Sequence, residues 1–198
     1  MSPQLAAILE WVAAGFGVLN VGLLVRRSVW NYPFGMAMVA CYVFVFWSQK
    51  LYAEAGLQVF FFAAQAWGWW LWQRTLTREH EHGQVPVRWL DGWSRTVWAV
   101  ATLAVALNLG LVLNRFTDAA LPFADAAVTG ASVTAQILLA FRRVENWVVW
   151  ILVDVVAVGL YLNRGLYPTA VIYALMLVLS VLGLVEWVRA ARKDTVAA

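Results

Sequence analysis

Charge is what this chain has least of. Charged residues fill 13% of its 198 positions and hydrophobic residues 63%. Soluble domains carry about twice that share of charge, so the composition is that of an integral membrane protein. There is one cysteine, Cys41, inside an apolar run. It can close no intrachain disulfide, has no second thiol for a metal, and reads as a small packing residue. The two histidines, His80 and His82, lie in a polar insert. Zinc needs three or four ligands in workable geometry, so no metal site is expected. No histidine lies in an apolar run, which leaves Ser132 of Gly130-Ala131-Ser132 without a base. No Gly-rich phosphate loop and no acid cluster supports phosphotransfer. Basic residues do not precede the first apolar run but follow it, as Arg26-Arg27, so no cleavable signal is expected. The expected protein is not an enzyme, has no cofactor and has no nucleic-acid partner.

What is present is apolar length. Seven runs, near 5–25, 31–48, 52–73, 92–114, 121–141, 146–163 and 166–188, are each about the 20 residues needed to cross about 30 Å of hydrocarbon. Pro33 falls at the start of the second run, where first-turn amides have no helical partner. Many of the 13 tryptophans stand at run ends, as an interfacial belt would place them; most of Trp67, Trp69, Trp70 and Trp72 read as belt residues.

The runs repeat. Adding 115 carries Asn31 onto Asn146, Val43 onto Val158, Leu51-Tyr52 onto Leu166-Tyr167, Gly68 onto Gly183 and Trp72 onto Trp187. The same register holds upstream, from Gly15 onto Gly130 and from Arg27 onto Arg142. A fixed offset across three apolar segments marks an internal duplication. The copies differ in polar and bulky positions: Gly35 stands opposite Trp150, Val39 opposite Asp154 and Gln58 opposite Tyr173. The run at 92–114 has no counterpart. The expected organisation is a first three-helix repeat (1–73), a cytoplasmic linker (74–91), a linking transmembrane helix (92–114), a second repeat (115–188) and a cytoplasmic tail (189–198). An odd linking helix makes the repeats parallel. Eleven of the 14 basic residues then fall on one side, leaving Lys50, Arg115 and Arg164 on the other. Positive-inside places the N-terminus outside and the C-terminus in the cytoplasm.

Candidate site residues are polar or aromatic groups inside these runs. Asp154 is expensive in lipid and should face a bundle interior or a wet cavity; an ion-pair anchor is the alternative. Trp147, Trp150, Asp154 and Tyr161 share one side of the sixth run at helical spacing. Aromatic planes beside hydrogen-bonding groups suit a flat, polar organic molecule, although Trp147 could equally be an interface anchor. Gln58, Phe62, Gln65 and Trp69 share one face of the third run, where the glutamines could instead join helices. Tyr42, Tyr161 and Tyr173 stand open between a site role and an anchoring one. Asn31 and Asn146 read as caps of the second and sixth helices, and Asn146 can also reach a solute.

Three segments, WNYPFG from Trp30, LYAEAGLQVFFFAAQAWGWW from Leu51 and ENWVVWILVDVVAVGLYLNRGLY from Glu145, resemble the PnuC vitamin transporters. The resemblance covers roughly residues 10–188, and its most specific part is N-W-x-x-W-x-x-x-D at 146–154. It implies an all-α integral membrane fold of seven transmembrane helices, two parallel three-helix repeats joined by a linking helix (3+1+3), as in SWEET-like architecture. It implies facilitative uptake of nicotinamide riboside across the bacterial inner membrane, without a coupling ion, and metabolic trapping of the solute by a cytoplasmic kinase in NAD biosynthesis. Thiamine is the alternative solute, carried by the PnuT relatives; riboflavin is associated with others. It further implies a homo-oligomer, a trimer, in the lipid bilayer. Residue by residue it puts Asn146, Trp150 and Gln58 at the solute, with Trp147 in the same motif; Asp154 and Tyr173 are added by helical geometry. The aromatic excess around Phe60-Phe61-Phe62 departs from the family pattern.

The expected action is to bind the vitamin between the helices of the two repeats and expose it alternately on each side. An intramembrane enzyme predicts a chemically altered solute, and a structural membrane subunit predicts no specific ligand and tolerance of Trp150→Ala and Gln58→Ala.

Overall fold

The computed structural model describes residues 3–48, 52–79, 85–117, 121–163 and 167–196. These form seven helices: α1 (Pro3–Val25), α2 (Asn31–Ser48), α3 (Tyr52–Glu79), α4 (Gly92–Phe116), α5 (Pro122–Ala140), α6 (Glu145–Asn163) and α7 (Tyr167–Val196). Two of them outrun their apolar stretches. α3 continues to Glu79, into the expected linker, and α7 to Val196, into the expected tail, because neither extension holds a proline or glycine to stop it. Among the described residues, four helices are long and apolar enough by composition alone to cross a membrane: α1, α4, α5 and α7. The other three, α2, α3 and α6, hold every candidate site residue except Tyr173.

The chain divides into two compact units, Met1–Pro86 and Val87–Ala198. In the first, α1 packs on α2 and α2 on α3. In the second, α5 packs on α6 and α6 on α7, while the linking helix α4 lies against α5. The α4–α5 contact is made by small residues. A Cβ at Gly130 would already stand 3.5 Å from the Ala106 backbone nitrogen, and the Thr102 and Thr134 hydroxyls meet at 2.8 Å. Without a hydrophobic drive between helices in lipid, such close approach and hydroxyl bonding hold them together. The N-terminus of α4 is capped by Asp91, which accepts from the Ser94 amide at 2.9 Å and from its hydroxyl at 2.7 Å.

The duplication is built into the backbone. α1 ends with Arg27 at φ 57° and α5 with Arg142 at φ 58°. Both turns are Schellman motifs. The Arg27 amide donates to Leu24 (2.9 Å) and that of Ser28 to Leu23 (3.0 Å); Arg142 donates to Leu139 (2.8 Å) and Arg143 to Leu138 (2.9 Å). Glycine usually takes the left-handed position, since a side chain there costs about 1–2 kcal/mol. Each arginine serves a docked segment that offsets this. In the first unit, Val85 exchanges bonds with Arg27: its amide donates to the Arg27 carbonyl (3.5 Å) and its carbonyl accepts from Arg27 Nη1 (3.3 Å). In the second, the Arg88 amide donates to the Arg142 carbonyl, and the Val144 amide to the Arg88 carbonyl, both at 3.1 Å. Leu90 then donates its amide to both Glu145 carboxylate oxygens (3.0 and 3.1 Å), and Arg95 Nε reaches Glu145 Oε1 at 2.8 Å. The connecting segment is thus bonded to a helix turn in each unit, and Val85, Pro86 and Val87 are buried.

The helix pairs that follow each turn repeat the same packing. Tyr32 of α2 meets Trp72 of α3 edge-on, with centroids 5.2 Å apart and planes at 89°. Trp147 of α6 meets Trp187 of α7 in the same way, at 5.6 Å and 87°. Gly68 and Gly183 make room for the Tyr32 and Trp147 rings. Trp72 is therefore core, fully buried, while Trp67 and Trp70 are exposed as a belt requires. The outer helix faces are lined by large apolar side chains such as Val100, Leu103, Leu111 and Val178.

Candidate functional site

The candidates fall in both units. In the first, Gln65 is buried at 5% exposure on α3, and Gln58, two turns earlier, is half-buried. Phe62, on the same predicted face, is exposed at 43%. Tyr42 is half-buried on α2 and stacks on Phe46 at 5.6 Å. The space beside Gly35 is taken by the amides of Gln65 and Asn20; a Cβ at Gly35 would overlap both. Asn20 Nδ2 also donates to the Asn31 carbonyl at 2.8 Å. A patch of amides is thus buried within one three-helix unit, with glycine leaving room for it. Asn20 was not among the candidates from sequence, although an amide deep in an apolar helix was the available signal.

In the second unit, Asn146 is fully buried at the start of α6. Its Nδ2 donates backwards to the Arg143 carbonyl at 2.6 Å, as Asn31 Nδ2 donates to Ser28 at 2.7 Å. These asparagines therefore tie the turn before the helix, and their oxygens do not cap the first-turn amides as expected. The turn brings a carbonyl within reach of the amide nitrogen, leaving Oδ1 of both residues buried without a partner. Trp147 is 1% exposed, locked between Gly183 and Trp187, with its indole Nε1 also unpartnered. Trp150, where the first repeat has Gly35, is half-buried. Asp154 is 4% exposed, and its Oδ2 accepts from the Ser180 hydroxyl of α7 at 2.9 Å. Tyr173 is half-buried on α7. The side chain of Tyr161 lies outside the described residues, as do His80 and His82.

Two more residues went unassigned in the sequence. Ser180 is buried and holds the Asp154 carboxylate. Gln136 of α5 is 5% exposed, with its Nε2 unpartnered. A glutamine inside an apolar run was a legible signal; a lone serine was not. Buried groups with open hydrogen-bonding capacity cost free energy until something pairs with them. Gln136 offers a donor, Asn146 an acceptor and Trp150 an aromatic plane, which are the group types a flat polar molecule engages, and they include no nucleophile–base pair.

A family model described as nicotinamide mononucleotide transporter matches residues 7–189. The chain is 29% identical over 212 residues to the nicotinamide riboside transporter PnuC of Escherichia coli (strain K12), covering 93% of this chain and 88% of that protein. It is 30% identical over 183 residues to the riboflavin/roseoflavin transporter RibM of Streptomyces davaonensis, covering 90% of this chain and 84% of that protein. A crystal structure of the vitamin B3 transporter PnuC superposes with a TM-score of 0.78 at 26% identity, covering 94% of this chain and 83% of that one. Helices, apolar outer faces and relatives together define a multi-pass membrane transporter, not an enzyme. The chain belongs to the nicotinamide mononucleotide transporter family, and its fold is the all-helical one expected from the sequence.

Proposed function

We propose that this protein carries nicotinamide riboside across the bacterial inner membrane by facilitated diffusion. A cytoplasmic kinase phosphorylates the arriving solute and prevents its return. The observation that carries this reading is the polar and aromatic character of α6. A transporter helix that presents a half-buried Trp150 one turn from a buried Asp154 is equipped for a flat ring with hydrogen-bonding substituents. Asn146 and Trp147, with unpartnered polar atoms on the same helix, supply further bonds, and Gln58, Gln65, Tyr42, Tyr161 and Tyr173 are proposed along the solute's path. The N-terminus lies outside and the C-terminus in the cytoplasm, following the basic residues. The working form is a homo-oligomer, a trimer.

Thiamine is the second reading, because it too is a flat cation with a hydroxyl tail, to which a tryptophan face and a carboxylate are suited. The test is uptake by proteoliposomes holding the purified protein, with nicotinamide riboside, thiamine and riboflavin supplied in parallel. A nicotinamide riboside kinase and ATP are enclosed in one set. Uptake of nicotinamide riboside should equilibrate without an ion gradient and accumulate only with the kinase inside. Trp150→Ala should lower it on the order of tenfold, since losing one aromatic face costs about 1–2 kcal/mol. Uptake of none of the three sinks the reading; preference for thiamine or riboflavin replaces the solute.

A further inference from the structure

Two relatives with nearly equal sequence identity to this chain are named for different solutes, a pyridinium nucleoside and a flavin. These differ in charge. Nicotinamide riboside carries a fixed positive charge on its ring; riboflavin is neutral. In the second unit, the buried carboxylate of Asp154 is a group able to tell them apart.

Asp154 is 4% exposed, and the bond to it in the described structure comes from Ser180 at 2.9 Å. A carboxylate can accept about four hydrogen bonds, so one hydroxyl leaves it far from satisfied. Among the described residues of the two helices it joins and their flanking turns, no basic side chain lies near it. Arg143 precedes it by 11 positions, and Arg189 follows Ser180 by nine, which on helices is about 16 Å and about 13 Å. A buried carboxylate without a cation is costly in hydrocarbon. Nor does the packing require it. The first repeat makes the equivalent α2–α3 contact with Val39 in this place, 2% exposed, and with Gln65 in place of Ser180. Helices thus associate here without an acid. Four positions before Asp154 stands Trp150, and residues so spaced have Cβ atoms about 5–6 Å apart on one helix face. An aromatic plane and an unpaired carboxylate side by side form half of an ion pair with a flat cation.

We propose that Asp154, oriented by Ser180, selects for charge at this site: it admits flat rings bearing a fixed positive charge and discriminates against neutral rings of the same shape. The inference rests on the transport reading above. Asp154 is the specificity-determining group and Ser180 a positioning residue that fixes one carboxylate oxygen.

The probe pair is nicotinamide riboside and its 1,4-dihydro form, which share the ribose and carboxamide and differ in ring charge. Binding of each to the purified full-length protein is measured by calorimetry, for wild type, Asp154→Asn and Ser180→Ala. The wild type should favour the cation on the order of tenfold or more, the scale of a close desolvated charge pair. Asp154→Asn should abolish the preference while holding the dihydro form within about threefold, because the amide keeps the shape and the Ser180 bond. Ser180→Ala should keep the sign of the preference and reduce its size. Equal wild-type affinity for the two forms overturns the inference whatever the variants do. An unchanged preference in a folded Asp154→Asn protein overturns it as well, and in both cases transport stands. If the wild type binds neither form, the inference falls with the transport reading.

Discussion

Gly183→Ala tests the packing that holds α6 against α7. A Cβ at Gly183 would stand 2.5 Å from Cε2, Cζ2 and Cη2 of Trp147. Carbon atoms in contact prefer about 3.5–4.0 Å, so the indole must retreat by about 1 Å. It cannot turn aside freely: Trp147 is 1% exposed and fixed edge-on against the fully buried Trp187. Overpacking of this kind costs about 1–3 kcal/mol, and alanine recovers up to about 1 kcal/mol of helix propensity over glycine. A net loss of about 1–2 kcal/mol in a chain of this length lowers the melting temperature by roughly 2–8 °C. The assay is thermal unfolding of the detergent-purified protein followed by tryptophan fluorescence. Gly68→Ala should behave alike, because its Cβ would meet Tyr32 at 2.7–3.0 Å in the matching pair of the first unit. Gly159→Ala on α6, with nothing within 4 Å, should melt at or above wild type. If Gly183→Ala melts with Gly159→Ala, the argument from close packing is wrong.

Two further outcomes follow from the segment that joins the units. Glu145→Ala should cost roughly 1–2 kcal/mol, chiefly by stranding the Leu90 amide. The half-exposed Arg95 adds little through a screened pair. Faster hydrogen exchange at Leu90 is the readout, and unchanged protection there counts against the assignment. At Asp91, the bonds from the Ser94 amide and then its hydroxyl hold the carboxyl below its ordinary value of 3.8. A lowered folded pKa means that the cap stabilises α4 above the ordinary carboxylate range and is lost as pH falls through the lowered value. Ser94 amide protection, corrected for intrinsic exchange, should therefore fall on acidification below about pH 4, and Asp91→Asn should remove that step.

Helix number and duplication were legible because each depends on local pattern. Apolar runs of spanning length give helices wherever backbone groups must be satisfied in lipid. The 115-residue offset carried Arg27 onto Arg142 and Trp72 onto Trp187 before either turn or ring pair was seen. The Schellman turns were missed because arginine stands where glycine is the usual signal. Trp147 and Trp150 could not be separated by spacing. One turn of helix leaves them on nearly the same side, and only the position of Gly183 and Trp187 buries the first and leaves the second half-open.

The sequence by itself determined a membrane protein of duplicated helices with a carboxylate, amides and tryptophans at stated depths. Length, hydropathy and register are properties of the chain alone. Tertiary structure decided what those groups touch: Ser180 on Asp154, Asn20 and Gln65 beside Gly35, and the connecting segment on Arg27 in one unit and on Arg142 in the other. Each of these contacts joins residues distant in sequence, and those between helices depend on how one helix is rotated against its neighbour. That rotation is set by the fit of side chains across the interface, which no single run of sequence contains.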